Sequence, residues 1–168
     1  MRKPWSGSTS LRIERVSIPR VPPSSSLHSI SFPTPDYAFH KKKQYLSTAI
    51  LTAILEHRGY TPYEKILGIV DYDLYVPELN FVFGEASRTA AVISLTRLRQ
   101  SFYKFSEDQE LFRRRVLTEA VHELGHTFGL GHCGNPRCVM FFSNSLMDTD
   151  RKGSEFCQKC KSHFPLSH

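Results

Sequence analysis

Eleven consecutive residues, His122-Glu123-Leu124-Gly125-His126-Thr127-Phe128-Gly129-Leu130-Gly131-His132, can build a metal site and a general base. On a helix, His122 and His126 fall on one face, one turn apart. Both imidazoles then reach a single zinc ion. Glu123 stands too close to the first histidine to be a third ligand on that helix, and is placed to reach a water on the metal. His132 lies six residues past His126, so a continued helix would carry it away. The helix must end and turn. Gly129 supplies a left-handed cap without steric cost, and Gly131 loosens the same corner. A helix with chance histidines would explain the first five residues but not the extension to His132.

Three protein ligands leave one zinc position for water, whose pKa falls towards about 7. Glu123 would take that proton and pass it to a leaving amine, while the metal polarises a carbonyl and stabilises the oxyanion. That is the chemistry of peptide-bond hydrolysis. The alternative is a structural zinc, which closes with a fourth protein ligand and favours cysteine.

Cysteines are close by. All four, Cys133, Cys138, Cys157 and Cys160, follow the histidine motif as C-x4-C, eighteen residues, then C-x2-C. Two close pairs suit a four-thiolate structural zinc. Two disulfides or a redox pair at Cys157 and Cys160 are the other readings. The first thirty residues carry no apolar run long enough for a signal peptide, which places the chain in the reducing cytoplasm, where disulfides are unusual. No thioredoxin-like strand-to-helix context surrounds Cys157 and Cys160. Because Cys133 follows His132 directly, a thiolate-bound zinc would brace the third histidine from behind, and Cys138 would fix Met140 in the same way.

The elements that must position these groups are those of one domain over residues 1–168. Its 168 residues suffice for a core, and 40% hydrophobic with 23% charged residues is ordinary for a soluble globular chain. Residues 1–10 read as frayed. Leu11 to Ile18 reads as a strand, and Pro19 to Asp36 as an irregular connection. Leu46, Ala49, Ile50, Ala53 and Ile54 predict an amphipathic helix within Lys41 to His57. Lys65 to Val70 reads as a central strand. Phe81 to Ala86 and Ala90 to Leu98 read as two more. Ser106-Glu107-Asp108-Gln109 fits a capping box opening a helix to about Phe128, its stripe drawn from Leu111, Leu117, Ala120, Val121 and Leu124.

Other polar groups read as solvated: Asp71 and Asp73, Asp148 and Asp150, the runs Lys41 to Lys43 and Arg113 to Arg115, and the single His28, His40, His57, His163 and His168. Twenty-two basic against sixteen acidic residues give a net charge of +6, which reads as a solubility feature, with nucleic acid an unfavoured partner. No stretch approaches the roughly 20 apolar residues of a membrane span. A monomer acting on peptide or protein substrates is expected.

The run from His122 to Cys160 resembles the metzincin zinc peptidases, and specifically the archaemetzincins, in the long histidine motif followed by a methionine and in cysteines threaded around it: Cys133, Cys138-Val139-Met140, Cys157 and Cys160. The resemblance implies an α/β fold, with a small twisted mixed sheet packed on two long helices and a cysteine-rich zinc-binding C-terminal subdomain. Residues 11–132 would form the upper part and 133–168 the lower. It also implies two zinc ions. His122, His126 and His132 would hold the catalytic one, with Glu123 as base. Met140 would form the floor beneath it, and the four cysteines would hold the structural one. Asn80 to Ala86 and Ala91 to Leu95 look like the family's central strands, with Phe83, Gly84 and Glu85 as the substrate-binding edge. Some metzincins place a helper tyrosine just past the methionine; here Phe141 and Phe142 follow. The strand–helix unit usual at the start of metzincins reads as lost or replaced by the proline-rich stretch, since one strand candidate precedes the helix near Lys41. The rival from another class is a non-catalytic or latent zinc protein that binds a protein or nucleic acid; it leaves Glu123 without a purpose. Endopeptidase and aminopeptidase modes are both open.

Overall fold

The computed structural model describes residues 10–14, 30–33, 38–40, 43–56 and 65–164. The strands are β1 Ser10–Glu14, β2 Ile30–Pro33, β3 Phe39–His40, β4 Gln44–Leu46, β5 Ile66–Val70, β6 Asp73–Val76, β7 Leu79–Val82, β8 Gly84–Ala86 and β9 Ala90–Ser94. The α-helices are α1 Ser47–Glu56, α2 Gln109–Thr127, α3 Leu146–Arg151 and α4 Gln158–Ser162. Two sheets form rather than one, in the orders β2-β1-β5-β9-β8 and β3-β4-β6-β7. Both are mixed: β5 and β9 run parallel while β8 runs antiparallel to β9, and β4 runs parallel to β6 while β7 runs antiparallel to it. Among the described residues no helix is long and apolar enough to cross a membrane.

The centre is β9, all five of whose residues are buried. Side chains alternate across a strand. Ala90 and Val92 pack with Ile50, Leu51 and Ile54 of α1, whereas Ala91 and Ile93 pack with Leu124 of α2, flanked by Val116 and Ala120. One helix thus covers each face of the sheet, and an unbroken apolar strand is what two covered faces require. A third cluster, Leu130, Cys138, Val139, Met140 and Cys160 with Val121 and Phe156, forms the core of the C-terminal part.

Several sequence expectations shift. Four described strands precede α1, not one, and β1 and β2 extend the first sheet. The strand expected to reach Ile18 is described only to Glu14, and residue 30 to Pro33 of the irregular connection is strand β2. The helix expected from Lys41 begins at Ser47, because Gln44 to Leu46 pairs with β6 and Lys43 takes a left-handed φ of 64°. Lys41, Lys42, His28, His57 and His168 lie outside the described residues. The strand expected over Phe81 to Ala86 breaks at Phe83, where the chain leaves the second sheet and enters the first. Its successor ends at Ser94, whose Oγ turns back to donate to the Tyr72 carbonyl at 2.6 Å.

Helix α2 departs most from its apolar pattern. Asp108, not Ser106, is its N-cap, accepting from the Glu110 and Leu111 amides at 3.0 Å each. Leu117 is 53% exposed, while Arg115, Thr118, Glu119, His122 and Glu123 are buried. Arg115 leaves the expected solvated run and forms a bidentate pair with Asp150, both bonds 2.7 Å. Asp148 is not loop solvation either; it closes a capping box with Ser145 at the start of α3. Asp73, expected at the surface, pairs with Arg97 at 2.5 and 2.7 Å. A helix with this much buried polarity is organised around a site as well as a core.

Candidate metal centre and catalytic cleft

His122 and His126 project from the last two turns of α2, and the turn after it delivers His132. That turn is a Schellman cap: the Gly129 amide donates to the His126 carbonyl at 2.9 Å and the Leu130 amide to the Gly125 carbonyl at 3.1 Å. Gly129 has φ +86°, as its expected cap role requires. The three histidine ligating atoms lie within 4.8 Å of one another. His122 and His132 stack with centroids 5.5 Å apart, and Phe142 packs on His132 at 4.8 Å.

The tautomers follow from the partners. His122 Nδ1 is 2.7 Å from the Val139 carbonyl and His126 Nδ1 is 2.7 Å from the Leu130 carbonyl. A carbonyl only accepts, so each Nδ1 carries the hydrogen and each Nε2 presents a bare lone pair. Those two lone pairs face each other at 3.2 Å. Uncompensated, they repel; a cation between them makes the arrangement favourable. Zinc–nitrogen bonds of about 2.0–2.1 Å in a tetrahedron put ligand nitrogens roughly 3.3 Å apart, so the spacing fits. Burial, followed by the Lys152 ammonium, drives the His122 pKa down to about 2, and burial lowers His126 and His132 too. All three are therefore held neutral, the form that binds metal.

Glu123 is 5% exposed and faces the same cleft. Burial, then the nearby Glu119 carboxylate, raises its pKa well above the ordinary 4.5, with Lys152 opposing. Gly84 of β8 touches it. A methyl group at Gly84 would stand 2.6 Å from Glu123 Cγ, 2.8 Å from Oε1 and 2.6 Å from the Val92 carbonyl. Of the expected edge residues, Phe83 and Gly84 line the cleft. Glu85 points its carboxylate to the other face, accepting from the Ser47 hydroxyl and, at 2.9 Å, from Thr48 at the start of α1. The cleft encloses about 200 Å³ between β7–β8 on one side and Phe142 to Asn144 on the other.

Met140 is fully buried beneath α2, against Gly125. Gly125 is one of the two unspecified positions between His122-Glu123 and His126 in the motif. A Cβ there would collide with the Met140 sulfur and sit 3.2 Å from Phe156, so the helix backbone itself forms the contact. The Cys133 amide donates to the Met140 carbonyl at 2.8 Å. The four cysteines are free, and their sulfurs lie within 4.8 Å of one another. Cys133 to Cys157 is 3.8 Å and Cys138 to Cys160 is 3.7 Å. A disulfide needs about 2.05 Å; zinc–thiolate bonds of about 2.3 Å need sulfurs roughly 3.8 Å apart. The donor set fits zinc. The Cys160 amide lowers the Cys157 pKa to about 7, while burial raises Cys138 and Cys160.

The motifs of the sequence do not single out Glu119 and Ser143, which line the cleft, or Lys152 behind them, whose Nζ is 3.2 Å from the Glu119 carboxylate with both side chains buried. The signal for Glu119 was its position four residues before Glu123, on the same helix face.

The model of peptidase family M54 matches residues 13–165. An archaemetzincin of Methanopyrus kandleri is 46% identical over 129 residues, 75% of this chain and 69% of that protein. The crystal structure of a zinc-dependent peptidase from Methanocorpusculum labreanum superposes with a TM-score of 0.72 at 32% identity, covering 79% of this chain and 80% of the other. That of an archaemetzincin from Archaeoglobus fulgidus, complexed with malonate, gives 0.64 at 43% identity, covering 77% and 75%. With a histidine set and a cysteine set that each fit zinc, this chain belongs to peptidase family M54, the archaemetzincins, and is a zinc metallopeptidase.

Proposed function

We propose that His122, His126 and His132 hold the catalytic zinc and that Glu123 is the general base and acid of peptide-bond hydrolysis. The observation that carries this reading is the pair of bare Nε2 lone pairs at 3.2 Å beside a buried, cleft-facing carboxylate. When bound, zinc supplies a Lewis acid with one position open to a reacting ligand. Glu123 takes the proton of the attacking water at a carboxylate oxygen and returns it to the leaving amine. A carboxyl group whose pKa burial has raised suits both halves of that task. Gly84 leaves the space in which this carboxylate lies. Strand β8 ends the first sheet among the described residues, and a substrate backbone would pair along it. Phe83 and Gly84 would line its path, while Glu85 would contribute backbone only. Zinc would polarise the carbonyl with no tyrosine after Met140 to assist.

The four cysteines would hold a second, structural zinc. Val139, in the same loop, accepts from His122, and the Met140 carbonyl accepts from Cys133, so this knot would steady both a ligand and the floor. Residues 11–132 form the upper part of the domain in this reading and 133–168 the lower. Glu123→Gln is expected to keep its zinc, by metal analysis, and its fold, and to lose roughly 10²–10⁴-fold in hydrolysis of a mixed peptide library. Cleavage at the wild-type rate by that variant would overturn the assignment.

A further inference from the structure

Glu119 stands one turn before Glu123 on the cleft face of α2, about 6 Å along the helix axis, the reach of one substrate side chain from the reacting bond. It is 2% exposed and lines the cleft. Lys152 Nζ lies 3.2 Å from its Oε1, and Thr149 Oγ1 donates to the same oxygen at 2.8 Å. Both contacts fall on Oε1, and a carboxylate has a second oxygen with which to accept. Lys152 is itself fully buried and donates to the Phe141 carbonyl at 3.2 Å, anchoring the chain that continues into the cleft wall. On that wall Ser143 Oγ is buried without a hydrogen-bond partner among the described residues. Glu119 and Lys152 act on the pKa values of Glu123 and His122, but none of these groups serves the zinc and proton chemistry as a ligand or as a proton carrier.

Their charges restrict what can enter. The Glu119 carboxylate is already compensated by Lys152. A substrate ammonium or guanidinium would add an unbalanced positive charge to a buried pair. An aliphatic side chain would strip water from the carboxylate, leave the Ser143 hydroxyl unpaired and return no hydrogen bond. A primary amide donates to the one and accepts from the other without adding charge. We propose that Glu119, held by Lys152, is the specificity-determining floor of a substrate pocket that takes a neutral amide side chain, such as that of glutamine, on a residue flanking the cleaved bond.

The inference rests on the peptidase reading, and its test separates the two. Peptides differing at that one residue, glutamine, leucine or lysine, are compared by kcat/KM on the zinc-loaded full chain. Wild type is expected to favour glutamine by roughly tenfold or more over both. Glu119→Gln leaves the floor polar but the Lys152 ammonium uncompensated, and is expected to keep glutamine ahead of leucine while lowering the lysine rate by roughly a further tenfold. Lys152→Met leaves the carboxylate uncompensated and is expected to turn the preference to lysine, an inversion that loss of structure alone would not produce. Should Lys152→Met not fold, Glu119→Gln decides. Equal wild-type rates, or ratios unchanged in Glu119→Gln, overturn the pocket and leave the peptidase standing. Absence of any Glu123-dependent cleavage overturns the peptidase reading; fluorescence anisotropy of the same three peptides on Glu123→Gln protein then decides the pocket by the same ranking.

Discussion

The three-histidine cleft and the four-cysteine knot meet at one peptide bond, between His132 and Cys133, yet they would hold a cation by opposite means. In the cleft, neutral rings are aimed by carbonyls that take their far N–H groups, and three donors leave one side open. In the knot, amides donate to sulfur: Asn135 to Cys133 at 3.5 Å and Cys157 to Cys138 at 3.3 Å. Donors of that kind favour anionic thiolates, and four of them close the shell. The cleft is framed by a helix and a sheet that have cores of their own, whereas Cys138 and Cys160 belong to the small cluster that holds the C-terminal part together. An open site on a rigid frame suits turnover; a closed site inside its own core suits stability.

The largest effect should therefore come from the knot. Structural zinc in zinc-finger peptides is worth roughly 10–16 kcal/mol, comparable with a whole domain's stability of about 5–15 kcal/mol. Cys138→Ser is expected to abolish the cooperative fold of the C-terminal part, seen as lost thermal transition and lost zinc. A chelator added stepwise to loaded wild type should empty the histidine site first, with circular dichroism unchanged, and the cysteine site only on unfolding. Release of both metals in one step without unfolding would break the comparison. Glu123→Gln ranks next, and acts on the open site alone.

Both clusters were legible in the sequence because their residues are local: four residues of helix, one glycine turn, and two close cysteine pairs. What was not legible depends on partners far along the chain. Glu119 meets Thr149 and Lys152 thirty or more residues away, and Arg115 meets Asp150 thirty-five away; before the chain folds, each reads as one more solvated charge. Leu117 failed for the same reason. The apolar period of α2 could not show that this helix faces a sheet, a cleft and a second core at once. The break at Phe83 was hidden because two sheets share one apolar run.

Two glycines extend the contrast at smaller scale. Gly84→Ala pushes on Glu123 and the Val92 carbonyl, and displacing a reacting group by about 1 Å can lower a rate roughly 100-fold. Gly125→Ala instead drives a methyl group into Met140 and Phe156, an overpacking expected to destabilise by about 1–3 kcal/mol. Peptide hydrolysis and urea unfolding of both variants separate the effects. The comparison predicts that Gly84→Ala loses activity out of proportion to stability, and that Gly125→Ala lowers the unfolding midpoint most.

Acid should give the smallest effect, and again through the cleft. With the histidine site emptied, burial and then the Lys152 ammonium hold His122 at a pKa of about 2, against an ordinary 6.5. Between those values the unfolded chain binds a proton that the folded chain does not. The contribution of His122 to stability is thus complete above pH 6.5 and falls as the pH drops towards 2. At pH 5 the loss is about 2 kcal/mol. His126 and His132 are lowered in the same sense. Glu123 runs the other way: its raised pKa favours folding at low pH, an advantage lost as the pH rises through the folded value. The net slope of wild type mixes these contributions, whereas its difference from His122→Gln isolates one. Urea unfolding at pH 6.5 and 5.0 should show wild type losing about 2 kcal/mol more than His122→Gln. Equal losses would mean that the ring takes up a proton inside the folded protein, and that its neutrality in the cleft is imposed by zinc and not by burial.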